Sequence, residues 1–333
     1  MAKGCGIGCG IIALIILVLI VVSNISSNIE QRKINEIKQE MLTPGVNQLI
    51  DLRTYEPFKQ GSKAVWLEEE STLKLTENLP RLDGATALYP VYAAFVQAVY
   101  PERGYFGNND CIVQNTTTGK AYERLLSGET DIIFVAGASD EHMSENLIFT
   151  PIGKEAFVFF VNFNNPVNSL TTAQIRAIYS GEITNWQEID GEDVEIMPYQ
   201  REVNSGSQTA MEGFMGNTPL MKPPREEMVE YQMRAMIFQV EARTHKNFPN
   251  AIGYSFLFFA TEMAGSEQIK LLEIDGVAPT RENVANGTYP HADYFYAVTV
   301  AGNENPSIEP FIEWILGEQG QYLIEKTGYT RVN

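Results

Sequence analysis

Arg81-Leu82-Asp83-Gly84-Ala85-Thr86-Ala87-Leu88-Tyr89-Pro90-Val91-Tyr92 runs from an apolar strand, through a short turn of Gly, Ala and Thr, into a helix that extends from about Leu88 to Val99. The construction recurs. Cys111 to Val113 reads as a strand, Thr116-Thr117-Thr118-Gly119 as a turn, and Lys120 to Leu126 as a helix closed by Ser127-Gly128. Glu195 to Tyr199 reads as a strand, Ser205-Gly206-Ser207 as a turn and Gln208 to Met215 as a helix. Asp131 to Val135 and Phe157 to Asn162 are apolar runs, as strands covered on both faces would be, and Thr171 caps a helix ending at Tyr179. Strand–loop–helix repeats of this kind imply an α/β fold, with a parallel or mixed sheet and helices on both faces.

A helix start leaves about four backbone N–H groups without intrahelical partners and carries roughly half a positive charge. Hydroxyls add donors there, and glycine lets the backbone approach a ligand, so each of the three turns suits a tetrahedral oxyanion. Taken singly, each is more readily read as ordinary Ser/Thr capping. The third carries Arg201 four residues before Ser205, where a guanidinium can grip an oxyanion bidentately. The bland alternative is a surface ion pair of Arg201 with Glu202 or another acid. Asp140 follows Gly137-Ala138-Ser139 and reads either as a turn or cap aspartate or as the acceptor for a protonated oxyanion.

Composition narrows the function classes. The chain has 333 residues, 44% of them hydrophobic, enough for two lobes at about 100–200 residues per domain. With 24 Lys and Arg against 42 Asp and Glu, the net charge of −18 argues against nucleic acid and anionic lipid headgroups as partners. A small anion is not excluded, since local dipoles can bind one inside an acidic protein. The three cysteines and three histidines show no metal-ligand spacing, and neither metal nor cofactor is expected.

The N-terminus carries no charge from Gly4 to Ile29, and Ile11 to Val22 is almost pure Ile, Leu and Val. It reads as a transmembrane signal anchor over 1–24, because it lacks the A-x-A-like end of a cleaved signal; a cleaved signal peptide is the competing reading. A helical stalk over 29–42 and an extension to residue 75 follow. The body would then lie on the extracytoplasmic side of the cell membrane.

At these residues the chain resembles the phosphate-binding proteins that serve ABC-type phosphate importers, over about Leu79 to Val332. Gly84-Ala85-Thr86 with Tyr89-Pro90-Val91-Tyr92 is similar to that family's first phosphate loop, and Ser139-Asp140 to its Ser-Asp loop. Ser180-Gly181-Glu182-Ile183-Thr184-Asn185-Trp186 resembles its S-G-x-I-x-N-W segment, and Arg201 with Ser205-Gly206-Ser207 its R-x-x-x-S-G-[ST] signature. Ala251-Ile252-Gly253-Tyr254 resembles its return strand, and Gly320-Gln321 with Gly328-Tyr329 its C-terminal helix. Val203 stands where the family usually has an aspartate, and Ala87 where it often has an aromatic residue.

The resemblance implies a two-lobed, type II periplasmic-binding-protein fold with a double crossover near residues 155 and 255. Lobe 1 would comprise 76–155 plus 256–333, and lobe 2 residues 156–255. It implies inorganic phosphate held by Thr86 and the Ala87 backbone, by Thr117 or Thr118, and by Asp140, Arg201, Ser205, Gly206 and Ser207, with an ABC-type permease as partner. A receptor or sensor for sulfate or molybdate is the alternative. Sulfate is disfavoured because a carboxylate repels an anion with no proton to offer. An anchored phosphatase is the alternative of another class. No catalytic residue is expected, since the chain shows no H-E-x-x-H, no G-x-S-x-G and no grouped His/Asp ligands.

Overall fold

The computed structural model describes residues 50–105, 111–138, 142–144, 146–222, 229–230 and 250–332. The expected anchor over 1–24, the stalk over 29–42, the start of the extension up to residue 49, and Asp140 lie outside the described residues. Among the described residues no helix is long and apolar enough to cross a membrane.

The strands are β1 (Leu82–Gly84), β2 (Ile132–Val135), β3 (Leu147–Asn162), β4 (Ser169–Leu170), β5 (Met197–Pro198), β6 (Gln200–Arg201), β7 (Val229–Glu230), β8 (Ala251–Phe256), β9 (Ile269–Leu271), β10 (Glu273–Ile274), β11 (Ala292–Val300) and β12 (Thr330–Arg331). The α-helices are α1 (Tyr89–Val99), α2 (Thr118–Leu126), α3 (Thr172–Ser180), α4 (Gly206–Met215), α5 (Arg281–Ala285), α6 (Ile308–Leu316) and α7 (Glu318–Thr327). The main sheet runs β1-β2-β11-β3-β8-β5, with β9 and β12 also on β3. It is mixed: β1/β2 and β5/β8 are parallel, while β11 lies antiparallel to both β2 and β3. Pro198 can be accommodated because β5 is an edge strand.

β3 organises the molecule. Its first half pairs with β11, from Leu147↔Val300 to Ala156↔Ala292. Its second half pairs with β8, from Phe157↔Phe256 to Val161↔Ile252. The register against β11 slips by one residue between Phe295 and Tyr296, opposite Pro151, which has no N–H to give the ladder. Two large cores divide along the same line. One gathers α1 with Phe134, Phe295, Phe311, Trp314 and Ile324; the other gathers Phe157 to Val161, Ile175, Trp186, Met211 and Tyr254. β2 is buried along its whole length. Ile132 and Phe134 face α1, while Ile133 and Val135 face Ala121, Tyr122 and Leu125 of α2. Each such side chain, fully buried, contributes about 1.5–3 kcal/mol.

Residues 50–75 lie against the first core. Tyr55 and Ala64 are buried in it, and Gln97 of α1 accepts from the Phe58 N–H (3.1 Å) while donating to the Val65 carbonyl (3.2 Å). After β8, Leu257, Phe259, Ile269, Leu272, Val284 and Tyr289 still pack in the second core, and β9 pairs with the second half of β3. The backbone rejoins the first half of β3 at Ala292.

Candidate functional site

The first turn follows β1. A Cβ on Gly84 would stand 2.4 Å from the Phe134 carbonyl oxygen of β2, so this close parallel approach requires glycine. The Ala85 N–H extends the ladder to that same oxygen at 2.9 Å. One 3₁₀ turn, Thr86–Leu88, leads into α1, with Pro90 in the helix's first turn where its missing N–H costs nothing. Thr86 is half-buried, and its hydroxyl donates to Asn115 Oδ1 at 3.1 Å. Ala87 is buried, and its carbonyl accepts from the Tyr329 hydroxyl.

Asn115 and Asp83 tie the first turn to the second. Asn115 Nδ2 donates to the Gly84 carbonyl and to Tyr92 Oη, both at 3.0 Å. Asp83 has no exposed surface. Its Oδ1 accepts from the N–H groups of Gly84 and Thr116 at 2.8 Å each; its Oδ2 accepts from the Thr116 hydroxyl at 2.8 Å and pairs with Arg124 Nε of α2 at 3.1 Å. Bonds to an ionised carboxylate are about twice as strong as neutral ones, which offsets the desolvation of burying it.

The second turn is strained. Thr117, the N-cap of α2, has φ +74°, a conformation that crowds a β-branched side chain. Strain of this kind collects at ligand clamps and is held by surrounding contacts, here those of Asp83. Thr117 is exposed, whereas the neighbouring Thr118 is buried.

The third turn meets the second. A Cβ on Gly206 would lie 2.7 Å from Thr118 Oγ1, and one on Gly119 would lie 3.2 Å from the Asn204 carbonyl oxygen. Ser205 caps α4, its Oγ accepting from the Gln208 N–H at 3.3 Å, and Ser207 is fully buried. Arg201, on β6, is buried rather than at the surface. Its backbone N–H donates to Tyr254 Oη (2.9 Å) and Gln208 Oε1 (3.1 Å), and its guanidinium Nη1 donates to Ser207 Oγ at 3.3 Å. The Tyr254 hydroxyl donates to Gln208 Oε1, and burial pushes its pKa well up. Val203 is 74% exposed and points away from this network.

The segment after β2 returns to the same place. His142 is buried, stacks on Tyr122 of α2 at 5.2 Å, and has its Cε1 3.8 Å from the Cβ position of Gly119. Among the predicted residues, then, contacts join Thr118 to Gly206 and Arg201 to Ser207, and Asn115 with Asp83 links Thr86 to the second turn. Sequence reasoning passed over Asp83, Asn115 and Gln208. A charged residue inside the apolar run before Gly84 was the available signal for the first of them. Among the described residues no group of three or more His, Cys, Asp or Glu is placed to hold a metal ion.

The S-G-x-I-x-N-W segment is structural. Gly181 ends α3 in the left-handed region (φ +85°), Asn185 caps the next 3₁₀ turn in a reciprocal capping box with Glu188, and the buried Trp186 indole donates to the Asn250 carbonyl at 2.8 Å.

Among solved structures, a putative phosphate ABC transporter substrate-binding protein with bound phosphate from Clostridium perfringens superposes with a TM-score of 0.60 at 26% identity, covering 76% of this chain and 98% of that one. An ABC-type phosphate transport receptor from Vibrio cholerae shares the fold, with a TM-score of 0.56 at 22% identity over 75% of this chain and 98% of that one. The phosphate-binding protein PstS of Bacillus subtilis (strain 168) is 25% identical over 285 residues, 83% of this chain and 87% of the relative. A family model described as the PBP superfamily domain matches residues 76–319. With the mixed sheet and the two cores joined through β3, this match establishes that the chain belongs to the PBP superfamily and has the α/β periplasmic-binding-protein-like fold.

Proposed function

We propose that the chain is an extracytoplasmic receptor that binds inorganic phosphate and delivers it to an ABC-type permease, and that it is not an enzyme. The observation that carries the reading is the meeting of the second and third turns at Thr118 and Gly206, with Arg201 buried on the Ser207 hydroxyl beside them. Two helix starts and one guanidinium converge on one small volume, which is the arrangement a tetrahedral anion needs. The names and bound phosphate of the relatives support the same ligand. The proposed binding set is Thr86, the Ala87 backbone, Thr117 or Thr118, Asp140, Arg201, Ser205, Gly206 and Ser207. Between the two threonines, burial favours Thr118.

The reading takes the two cores as the two lobes of a type II fold. Since residues 257–289 pack largely with the second core, the return crossing is proposed near 290–292 rather than 255, giving a lobe 1 of 76–156 plus 291–333. The N-terminal 24 residues are proposed as the membrane anchor on sequence grounds. Retention of the full-length chain in membranes washed at high salt is the expected outcome, and recovery of a soluble chain beginning near Asn24 would show a cleaved signal instead.

The ligand is tested by thermal unfolding of the full-length chain with phosphate, sulfate and molybdate. Phosphate at 100 times its Kd should stabilise the protein by about 2.7 kcal/mol. No shift with phosphate, or a larger one with sulfate, defeats the reading.

A further inference from the structure

A cavity of about 380 Å³ begins at Gly206 and runs along α4. Gly206, Thr209, Ala210, Gly213 and Phe214 line it at i, i+3, i+4, i+7 and i+8, one continuous face of the helix. Across from them stand Glu155 and Phe157 of β3, Phe256 of β8, and Asp293 and Tyr294 of β11. Small-ligand pockets span about 300–1,000 Å³. This space is therefore sized for an organic group larger than a bare phosphate ion.

The lining has a charge preference. Glu155 and Asp293 are direct partners across the antiparallel β3/β11 pair, so both side chains belong to one patch of the wall; Glu155 is buried there as a neutral carboxyl on the Ala156 and Phe258 N–H groups, and Asp293 is the exposed carboxylate. Among the described residues that line the cavity there is neither Lys nor Arg. His291 also lines it, but adds no charge of its own. The Thr172 hydroxyl donates its one proton to Asp275 Oδ2 (2.6 Å), so at 2.7 Å it can only accept from His291 Nε2–H, and burial holds that imidazole below the ordinary His value. Arg176 stacks over the Phe214 ring at 5.6 Å without lining the space. Asp293 is thus the one charged side chain among the described lining residues, and it favours an organic cation and disfavours a second anion.

We infer that the cavity receives the organic group of a zwitterionic phosphate monoester or phosphonate, with the phosphate at the N-terminus of α4 and an ammonium group toward Asp293. The inference rests on the phosphate reading of the α4 start and extends it to a second class of ligand.

The test is calorimetry on the full-length chain with inorganic phosphate, phosphocholine, O-phosphoethanolamine and phosphoglycolate, whose organic part is anionic. The wild type should bind inorganic phosphate and both ammonium esters, and phosphoglycolate more weakly than either ester. Ala210→Phe fills the cavity and should weaken the two esters roughly tenfold or more, leaving inorganic phosphate within about twofold. Asp293→Asn, at an exposed position, should weaken the esters by up to about fivefold and leave inorganic phosphate unchanged. If inorganic phosphate binds and the esters do not, or if the esters bind Ala210→Phe as well as wild type, the cavity assignment is overturned while the phosphate reading stands. If no phosphate compound binds, the phosphate reading fails and takes this inference with it.

Discussion

Asp83 holds Thr116 at two points, accepting its backbone N–H and its hydroxyl at 2.8 Å each from within a site with no solvent exposure. The same carboxylate accepts from Gly84 and pairs with Arg124, so it joins the first turn, the second turn and α2. Asp83→Ala should therefore cost about 2–4 kcal/mol, because it leaves the Gly84 and Thr116 N–H groups without an acceptor and Arg124 with Glu129 as its remaining partner. Urea unfolding measures this, and a loss below about 1 kcal/mol would mean that the turns are positioned by other contacts. Phosphate affinity should fall in the same variant, as Thr118 loses its placement.

Thr118 and Gly206 are coupled by contact. A Cβ at 206 would stand 2.7 Å from Thr118 Oγ1. Gly206→Ala should destabilise by about 1–3 kcal/mol through overpacking, and combining it with Thr118→Ala should restore part of that loss. A double-mutant cycle with no coupling would show that the two turns do not touch in solution.

Arg201→Ala is expected to weaken phosphate binding by roughly one to two powers of ten, since charge-assisted bonds contribute about 1.5–3 kcal/mol. Near-unchanged affinity by calorimetry would remove Arg201 from the site. Asp140→Asn addresses selectivity. Only the protonated oxygen of monohydrogen phosphate can donate to a carboxylate, so the variant should bind phosphate modestly less well and discriminate less against sulfate. An unaltered phosphate-to-sulfate ratio in competitive titration would leave Asp140 as a turn residue.

Glu155 has a distinct pH signature. Burial pushes its carboxyl up to about 8 from an ordinary 4.5, against the lowering effect of the Ala156 and Phe258 N–H groups and of Arg281. The native state thus keeps a proton that the unfolded chain releases above 4.5. The resulting stability is fully present below 4.5 and is lost as pH rises toward 8, at about 1.4 kcal/mol per pH unit from this group. Glu155→Gln keeps the size and removes the titration, so it should gain on the wild type as pH rises through that window. Denaturant unfolding at pH 5, 6.5 and 8 compares the two, and a constant difference across the series would refute the assignment.

Much of the fold was legible in local pattern. The expected helix from Leu88 to Val99 is α1, the strand from Asp131 is β2, and Thr171 caps α3 through Gln174. These elements are written by short-range rules: an apolar run, a cap, a Gly stop. The first half of β3 was not legible, because Thr150, Pro151, Gly153 and Lys154 interrupt the apolar run that marks its second half. Only pairing with β11 makes a strand of them. The packing of residues 257–289 was not legible for a related reason, since nothing local distinguishes a segment that packs back on the second core. At the site, the three turns were found because Ser, Thr and Gly at a helix start carry a local meaning. Asp83, Asn115 and Gln208 act on partners 7 to 46 residues away, and no spacing rule announces such bonds.

The position of β11 in the sheet governs the order in which the chain can fold. β11 is made of residues 292–300, yet it lies between β2 and β3, which are complete by residue 162. As the chain leaves the ribosome, β2 has only β1 to pair with, and the first half of β3 has an open edge, until some 130 further residues have been synthesised. The other half of β3 finds β8 some 36 residues earlier in synthesis than β11 begins. The second core can therefore assemble while the first waits, with Ile132 to Val135 as an apolar segment left exposed in the meantime. Insertion of β11 is then the late step that completes the sheet and the wall of the cavity at Asp293, with α6 and α7 still to pack on the first core.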